Sequence, residues 1–227
     1  MMNDAGCAAA GAILERSFWI GGSPCAGKST VAQGLAQVNG LELYSVDEGF
    51  DAHVPGLTRE RQPALTHWLS LSWQERWSRP VDELVREAIT CYGEHVDLIA
   101  ADVLAAHGGP AHGGPILVEG TALLPERLAA LGVSPQRAVW LVPTEAFQRA
   151  HYATRPWVNA IVGQCADPEL AFDNWMARDA AFARWVSAEA RRLGFGCLTV
   201  DGARSLDETS AWIADRFELE WRALPAT

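Results

Sequence analysis

The sequence predicts an α/β protein: a mainly parallel sheet with helices packed on both faces. Two observations carry this. Five short apolar runs, at 17–21, 41–46, 116–119, 138–142 and 196–200, alternate with amphipathic stretches of helical period. Helices between successive strands require crossover connections, and crossovers make neighbouring strands parallel and cover the sheet on both sides. Ligands of such sheets bind beyond the carboxyl ends of the strands, so the residues that follow each strand are the candidates for chemistry.

The first strand runs into Gly22-Ser23-Pro24-Cys25-Ala26-Gly27-Lys28-Ser29, which satisfies the phosphate-loop pattern G-x-x-x-x-G-K-[ST] at every required position. Gly22 and Gly27 permit backbone angles and close approaches that a Cβ would block, so the loop N–H groups are free to wrap phosphates. Lys28 then reaches the β/γ-phosphates, and Ser29 offers its hydroxyl to Mg²⁺. The residues after Ser29, from Thr30 onward, place Val31, Leu35 and Val38 at helical spacing before the stop Asn39-Gly40. A helix N-terminus therefore faces the phosphates, and Gly22 to Thr30 form the expected nucleotide-binding set for ATP with Mg²⁺. Cys25 lies beside those N–H groups, whose field is expected to lower its thiol pKa; the alternative reading is an inert small residue.

Asp47 and Glu48 close the second run. An acid at that edge lies where it accepts a hydroxyl proton, orients a phosphoacceptor or holds a metal-bound water; a turn acid or helix cap is the plainer reading. The long stretch that follows, 50–114, exceeds what a crossover needs and is read as a helical acceptor-binding insertion. It carries His53, Arg59, Arg61, His67, Trp68, Trp73, Trp77 and Arg79, and Val81, Leu84, Val85, Ala88, Ile89 and Tyr92 mark a helix with one apolar face. Trp73 and Trp77 suit either stacking on an acceptor ring or core packing, and Arg59 and Arg61 suit either an anionic acceptor or a solvated loop. The glycine- and proline-rich segment from His107 through His112 to Pro115 reads as a connector and not as a metal site.

Glu119 ends the third run, Ile116-Leu117-Val118-Glu119-Gly120, in the position of a carboxylate that works on the metal with Ser29 or through water; the plainer reading is a capping acid for a helix starting at Thr121, with Pro125 and Glu126 in or near its first turn. Arg149 and Arg155 follow the fourth run in a lid-like segment, 145–167, with Arg155 better placed to close over phosphates. Asp167-Pro168-Glu169 is a helix start and Gly194 a stop. On that helix Asp179 falls within the apolar stripe and Arg178 at its edge, so both are candidates for the site, a purely structural ion pair being the alternative, whereas Arg184 and Arg191 point to solvent.

The formal charge is −10, from 18 Lys and Arg against 28 Asp and Glu, and there is no basic run. That argues against nucleic acid or an anionic membrane as partner. Five scattered cysteines without a C-x-x-C pair are expected to be free thiols. The start of the chain lacks a basic, apolar leader, so residues 1–15 read as a loose tail and the expected compartment is the cytoplasm.

With these motifs in place the chain resembles the nucleoside and nucleotide kinase branch of the P-loop NTPases, which includes adenylate, shikimate and gluconate kinases, and looks closest to uncharacterised bacterial kinase-like ATP-binding proteins. The resemblance spans most of 1–227 as one domain, and only the 22–29 loop is highly specific. It implies a sheet order of 2-3-1-4-5, transfer of the γ-phosphoryl of Mg·ATP to a small-molecule acceptor, and adenine contacts from Gly202, Ala203 and Arg204. It casts Lys28, Asp47, Glu119, Arg155 and Arg178 as the catalytic set. Kinases that modify antibiotics or sugar nucleotides, and a switch without phosphotransfer, are the competing readings. The chain departs from the family in having Glu in place of the usual Asp at 119 and in its tryptophan-containing insertion.

Overall fold

The computed structural model describes residues 13–107 and 114–223. Five strands form one parallel sheet: β1 (Ser17–Gly22), β2 (Glu42–Ser45), β3 (Ile116–Glu119), β4 (Ala138–Pro143) and β5 (Gly196–Val200), in the order β2-β3-β1-β4-β5. All four pairings are parallel, with β1 between β3 (Trp19 beside Val118) and β4 (Trp19 beside Ala138). The three inner strands are buried along their whole length, and the edge strands β2 and β5 are mostly half-buried. This is the burial that continuous apolar runs without alternation require.

The pleat sorts the inner side chains into two cores. Phe18 and Ile20 of β1, with Leu117, Val139 and Leu141, face α1 (Lys28–Asn39) and a C-terminal helix, Leu206–Phe217, which contribute Val31, Leu35, Ile213 and Phe217. Trp19, Val118 and Trp140 face the other way. There they meet Val96, Ile99 and Val103 of a long helix, Val81–His107, and Phe182, Val186 and Ala190 of a second, Pro168–Arg192. Ile13, placed in the expected tail, is buried in this second core; residues 1–12 lie outside the described residues.

The remaining helices fix the site. In chain order, α2 (Val46–His53), α3 (Pro63–Ser70), α4 (Trp73–Trp77) and α5 (Val81–His107) connect β2 to β3, α6 (Pro125–Ala130) connects β3 to β4, and α7 (Glu145–Ala153), α8 (Pro156–Val162) and α9 (Pro168–Arg192) connect β4 to β5; α10 is Leu206–Phe217. Ser72 and Glu75 make a reciprocal capping box for α4. Asp167 caps α9, accepting from the Leu170 N–H with Pro168 in the first turn, as its sequence predicts.

Two boundaries bear on the site. β2 stops at Ser45, so Asp47 sits in the first turn of α2 and not at a strand end. The acidic pair Asp47-Glu48 there favours the helix N-terminus electrostatically. Helix α6 begins at Pro125, with Glu126 in its first turn and Thr121 outside it, because proline is pre-shaped for a first helical position. The connector at 108–113 lies outside the described residues. No helix among the described residues is long and apolar enough to cross a membrane.

Candidate functional site

The loop between β1 and α1 has the backbone its glycines foretell. Gly22 has φ +133, and a Cβ there would lie 1.9 Å from the Leu141 carbonyl oxygen of β4, so any side chain would force the loop off the sheet. Gly27 has φ +77 at the entry to α1, and Cys25 takes φ +66 without being glycine, a conformation that costs free energy and is held by its surroundings.

Lys28 is buried, and its ammonium donates to the Ser23 carbonyl at 2.9 Å. Burial pulls its pKa down, while the carboxylates of Asp47 and Glu119 oppose that. The Cys25 thiol is a correction: burial raises its pKa, outweighing the neighbouring Arg155 and Lys28 charges, so the expected activation is absent.

Glu119 is 2% exposed and takes a hydroxyl on each oxygen: Ser29 Oγ donates to Oε2 at 3.2 Å and Ser45 Oγ to Oε1 at 3.1 Å. Burial pushes its carboxyl up, and Lys28 pulls it back. Gly120 permits this close layering, because a Cβ there would fall 2.4 Å from Cβ of Val46, the first residue of α2. Ser29 and Glu119 therefore meet at the carboxyl end of the sheet beside a buried lysine. One hydroxyl and one carboxylate suit Mg²⁺, which keeps several waters and draws other oxygens from bound phosphates. No group of three His, Cys, Asp or Glu among the described residues forms an all-protein metal site.

From this loop a cavity of about 600 Å³ opens between the helices. Residues 24–30, Asp47, Arg155 and Arg178 line it at the loop end. Its far walls are aromatic: Trp68, Trp73, Trp77, Trp157 and Trp175, with Phe50, Tyr92 and Tyr152. Trp77 stacks on Trp175 with centroids 4.2 Å apart and planes 10° from parallel, and Trp68 meets Trp77 edge-on at 5.7 Å. Trp73 and Trp77 are thus packing residues and cavity wall at once.

Arg178 lies over the Trp77 ring at 5.0 Å and pairs with Asp179 at 2.8 Å. Both are buried; burial is the largest influence and opposes the Arg178 charge, but Asp179, Tyr92 and Tyr152 together outweigh it, so the arginine stays protonated. Gln148 ties that pair to the loop. Its amide nitrogen lies 3.3 Å from Asp179 Oδ2, 3.2 Å from the Pro24 carbonyl and 3.3 Å from Ser23 Oγ.

Other expectations fare differently. Arg149 is half-buried over the Phe172 ring, paired with Asp173 at 2.7 Å, and outside the cavity, because it faces away from Gln148 and Tyr152 on α7. Arg59 and Arg61 are exposed loop residues that do not line it. Arg184 and Arg191 are exposed. Gly202 (φ +89) and Arg204 are exposed and outside this cavity, although Leu206, just beyond, comes within 3.0 Å of where a Gly27 Cβ would stand.

Sequence reasoning missed Gln148, Arg76, Trp157, Trp175 and a polar chain behind the wall. His95, which lines the cavity, has Nε2 3.2 Å from His53 Nδ1; His53 Nε2 lies 2.7 Å from Asp102 Oδ2, and Tyr44 donates to the same oxygen at 2.7 Å. Burial and the adjacent His53 push the His95 pKa down to about 4, so its ring is neutral. The signal for His95 was its spacing: Ala88, Cys91, Tyr92 and His95 lie on one helix face. His53 and Asp102 gave none, since they meet only through the packing of α2 on α5.

No family model matches the chain, and no curated protein does. Among solved structures it is similar to one described as a "putative kinase" from Chloroflexus aurantiacus, at 19% identity, covering 88% of this chain and 97% of that one, with a TM-score of 0.44.

Proposed function

We propose that the protein is a P-loop NTPase that acts as a small-molecule kinase, transferring the γ-phosphoryl of Mg·ATP to a hydroxyl or phosphate of an acceptor held in the aromatic cavity. The observation that carries the reading is the junction of the G-x-x-x-x-G-K-S loop with Glu119: a buried lysine, a serine hydroxyl and a carboxylate meet at the one edge of the sheet from which the cavity opens.

In this reading the loop N–H groups and Lys28 bind the β/γ-phosphates, with Gly22 to Thr30 as the nucleotide cradle. Ser29 and Glu119 would hold Mg²⁺, which when bound neutralises phosphate charge. Arg155 has no carboxylate partner among the described residues and stands over Tyr152 and Trp157, where it is placed to meet the transferring phosphoryl oxygens. Arg178, held by Asp179 and steered through Gln148, positions the loop and presents its remaining N–H groups to the cavity. Asp47 orients the acceptor oxygen and takes its proton as the new P–O bond forms and the bond to the ADP oxygen breaks. Gly202 and Arg204 flank the adenine. Segment 50–114 is the acceptor-binding insertion, and 145–167 closes over the phosphates as a lid.

The cavity favours a kinase over a switch, because a nucleotide switch has no need of a walled compartment beside its γ-phosphate. The test is ADP release over a panel of hydroxyl- and phosphate-bearing acceptors, followed by Asp47→Asn. Transfer should fall by at least tenfold with nucleotide affinity unchanged. No release with any acceptor, or wild-type rates in Asp47→Asn, would sink the proposal or the role of Asp47 respectively.

A further inference from the structure

The aromatic end of the cavity carries a cation that the loop end does not need. Arg76 of α4 lies with its guanidinium over two indoles, 4.3 Å from the Trp73 centroid and 4.9 Å from that of Trp68. Its Nε donates to the Trp68 carbonyl at 3.1 Å and its Nη2 to the Leu69 carbonyl at 3.4 Å, which fixes the fork and leaves Nη1 free. No carboxylate among the described residues pairs with it. The acid nearest in effect, Glu87, is engaged through both oxygens by Arg79. Next to it in the chain, the buried indole N–H of Trp77 also lacks an acceptor among the described residues. A rigid, half-buried, unpaired guanidinium is a prepared donor for an anion.

The rest of the lining narrows the ligand. Asp47 is the only carboxylate on the described wall, and neither Asn nor Gln occurs on it, so the many hydroxyl donors of a sugar would find few strong acceptors. Lys28, Arg76, Arg155 and Arg178 repel a cationic ligand. Five tryptophans offer flat apolar faces.

We propose that the molecule held at this end is a planar, ring-bearing compound with a single carboxylate or phosphate, and that Arg76 selects that anionic group while the ring lies among the tryptophans. That this molecule is the phosphoacceptor rests on the kinase reading above, its hydroxyl then lying toward Asp47; that it is a ring-bearing anion does not.

The experiment is a tryptophan-fluorescence titration of the full chain, without nucleotide, using 4-(hydroxymethyl)benzoate, its phosphate counterpart 4-(hydroxymethyl)phenyl phosphate, the uncharged 4-(hydroxymethyl)benzamide and the cationic 4-(hydroxymethyl)benzylamine. At least one of the two anions should bind about tenfold or more tighter than the amide, as expected for one charge-assisted hydrogen bond, and the stronger of them assigns carboxylate or phosphate. Arg76→Gln should abolish that preference while leaving amide affinity within about twofold, and Arg76→Lys should keep part of it. Equal loss for anion and amide in both variants would mean that Arg76 only ties α3 to α4, and would overturn the proposal. So would a preference for the amine, or no response to any probe up to about 20 mM. The wild-type comparison needs no variant to fold, and because nucleotide is absent, failure of the kinase reading leaves the result intact.

Discussion

The two ends of the cavity are built in opposite ways. The loop end is assembled from neighbours in sequence: one strand, one turn and the start of one helix place Gly22, Lys28 and Ser29, and a single long-range partner, Glu119, arrives from the adjacent strand in register, with Ile20 beside it. The aromatic end draws Trp68, Trp73 and Trp77 from two short helices and Trp157 and Trp175 from two others some eighty or more positions later in the chain. The difference teaches that backbone-defined sites are local, because glycine turns and helix N-termini are made by consecutive residues, whereas side-chain pockets are tertiary. It also separates roles. Removing a loop-end group should cost chemistry and spare the fold; removing a buried indole of the aromatic end should cost the fold first.

The largest expected effect breaks that comparison if it fails. Lys28→Ala should lower phosphoryl transfer on the order of 10²–10³-fold, since it removes a charge aimed at developing phosphate charge. Its denaturation midpoint should not fall, because the lysine is buried and already held against a desolvation penalty. Single-turnover kinetics and urea melts on one preparation decide both halves. Trp175→Ala is the converse. It removes a side chain 5% exposed that stacks on Trp77, and should destabilise by about 3–5 kcal/mol in chemical denaturation. A loss under 1 kcal/mol would mean that the aromatic wall is not a core.

A subtler test uses pH. His95 is neutral in the fold with its pKa pushed down to about 4 from 6.5, by burial first and by His53 second, with Asp102 opposing. Between those values the unfolded chain binds the proton that the folded one refuses. Stability from this group is therefore complete above about pH 6.5 and is lost as pH falls toward 4, by up to about 3 kcal/mol. Relative to wild type, His95→Gln should flatten the stability curve across that interval, which cancels the contributions of other titrating groups. Parallel curves would contradict the buried neutral ring. The smallest effect is Arg149→Ala, whose exposed pair with Asp173 should be worth about 0–1 kcal/mol and nothing to transfer.

The same contrast explains what the sequence revealed. The alternation of apolar runs located all five strands, with β3 and β5 to the residue: the three inner strands because strands covered on both faces are continuously apolar, and the half-buried edge strands because Leu43, Tyr44, Leu198 and Val200 still pack on the two cores. β2 was drawn too long because Val46 is apolar for another reason: it packs under Gly120 from the first turn of α2. Gln148 went unread because a lone glutamine has no pattern, and only the fold shows it bridging the loop to Asp179. Arg76 was invisible for the same cause, since its two tryptophans come from different helices. Of the two readings of Cys25 the inert one is favoured, because burial, which the sequence does not show, outweighs the neighbouring charges.

The central claim is that the Gly22–Ser29 loop, with Lys28 and Glu119, holds a magnesium-bound nucleoside triphosphate. Calorimetric titration of a non-hydrolysable ATP analogue tests it most directly, run with and without Mg²⁺ on wild type, Lys28→Ala and Glu119→Gln. The account expects wild-type binding that tightens with Mg²⁺, a loss of affinity in Lys28→Ala, and in Glu119→Gln binding that persists with its Mg²⁺ dependence reduced. No heat from the wild-type protein at millimolar analogue with Mg²⁺, or identical isotherms for all three proteins, would contradict it.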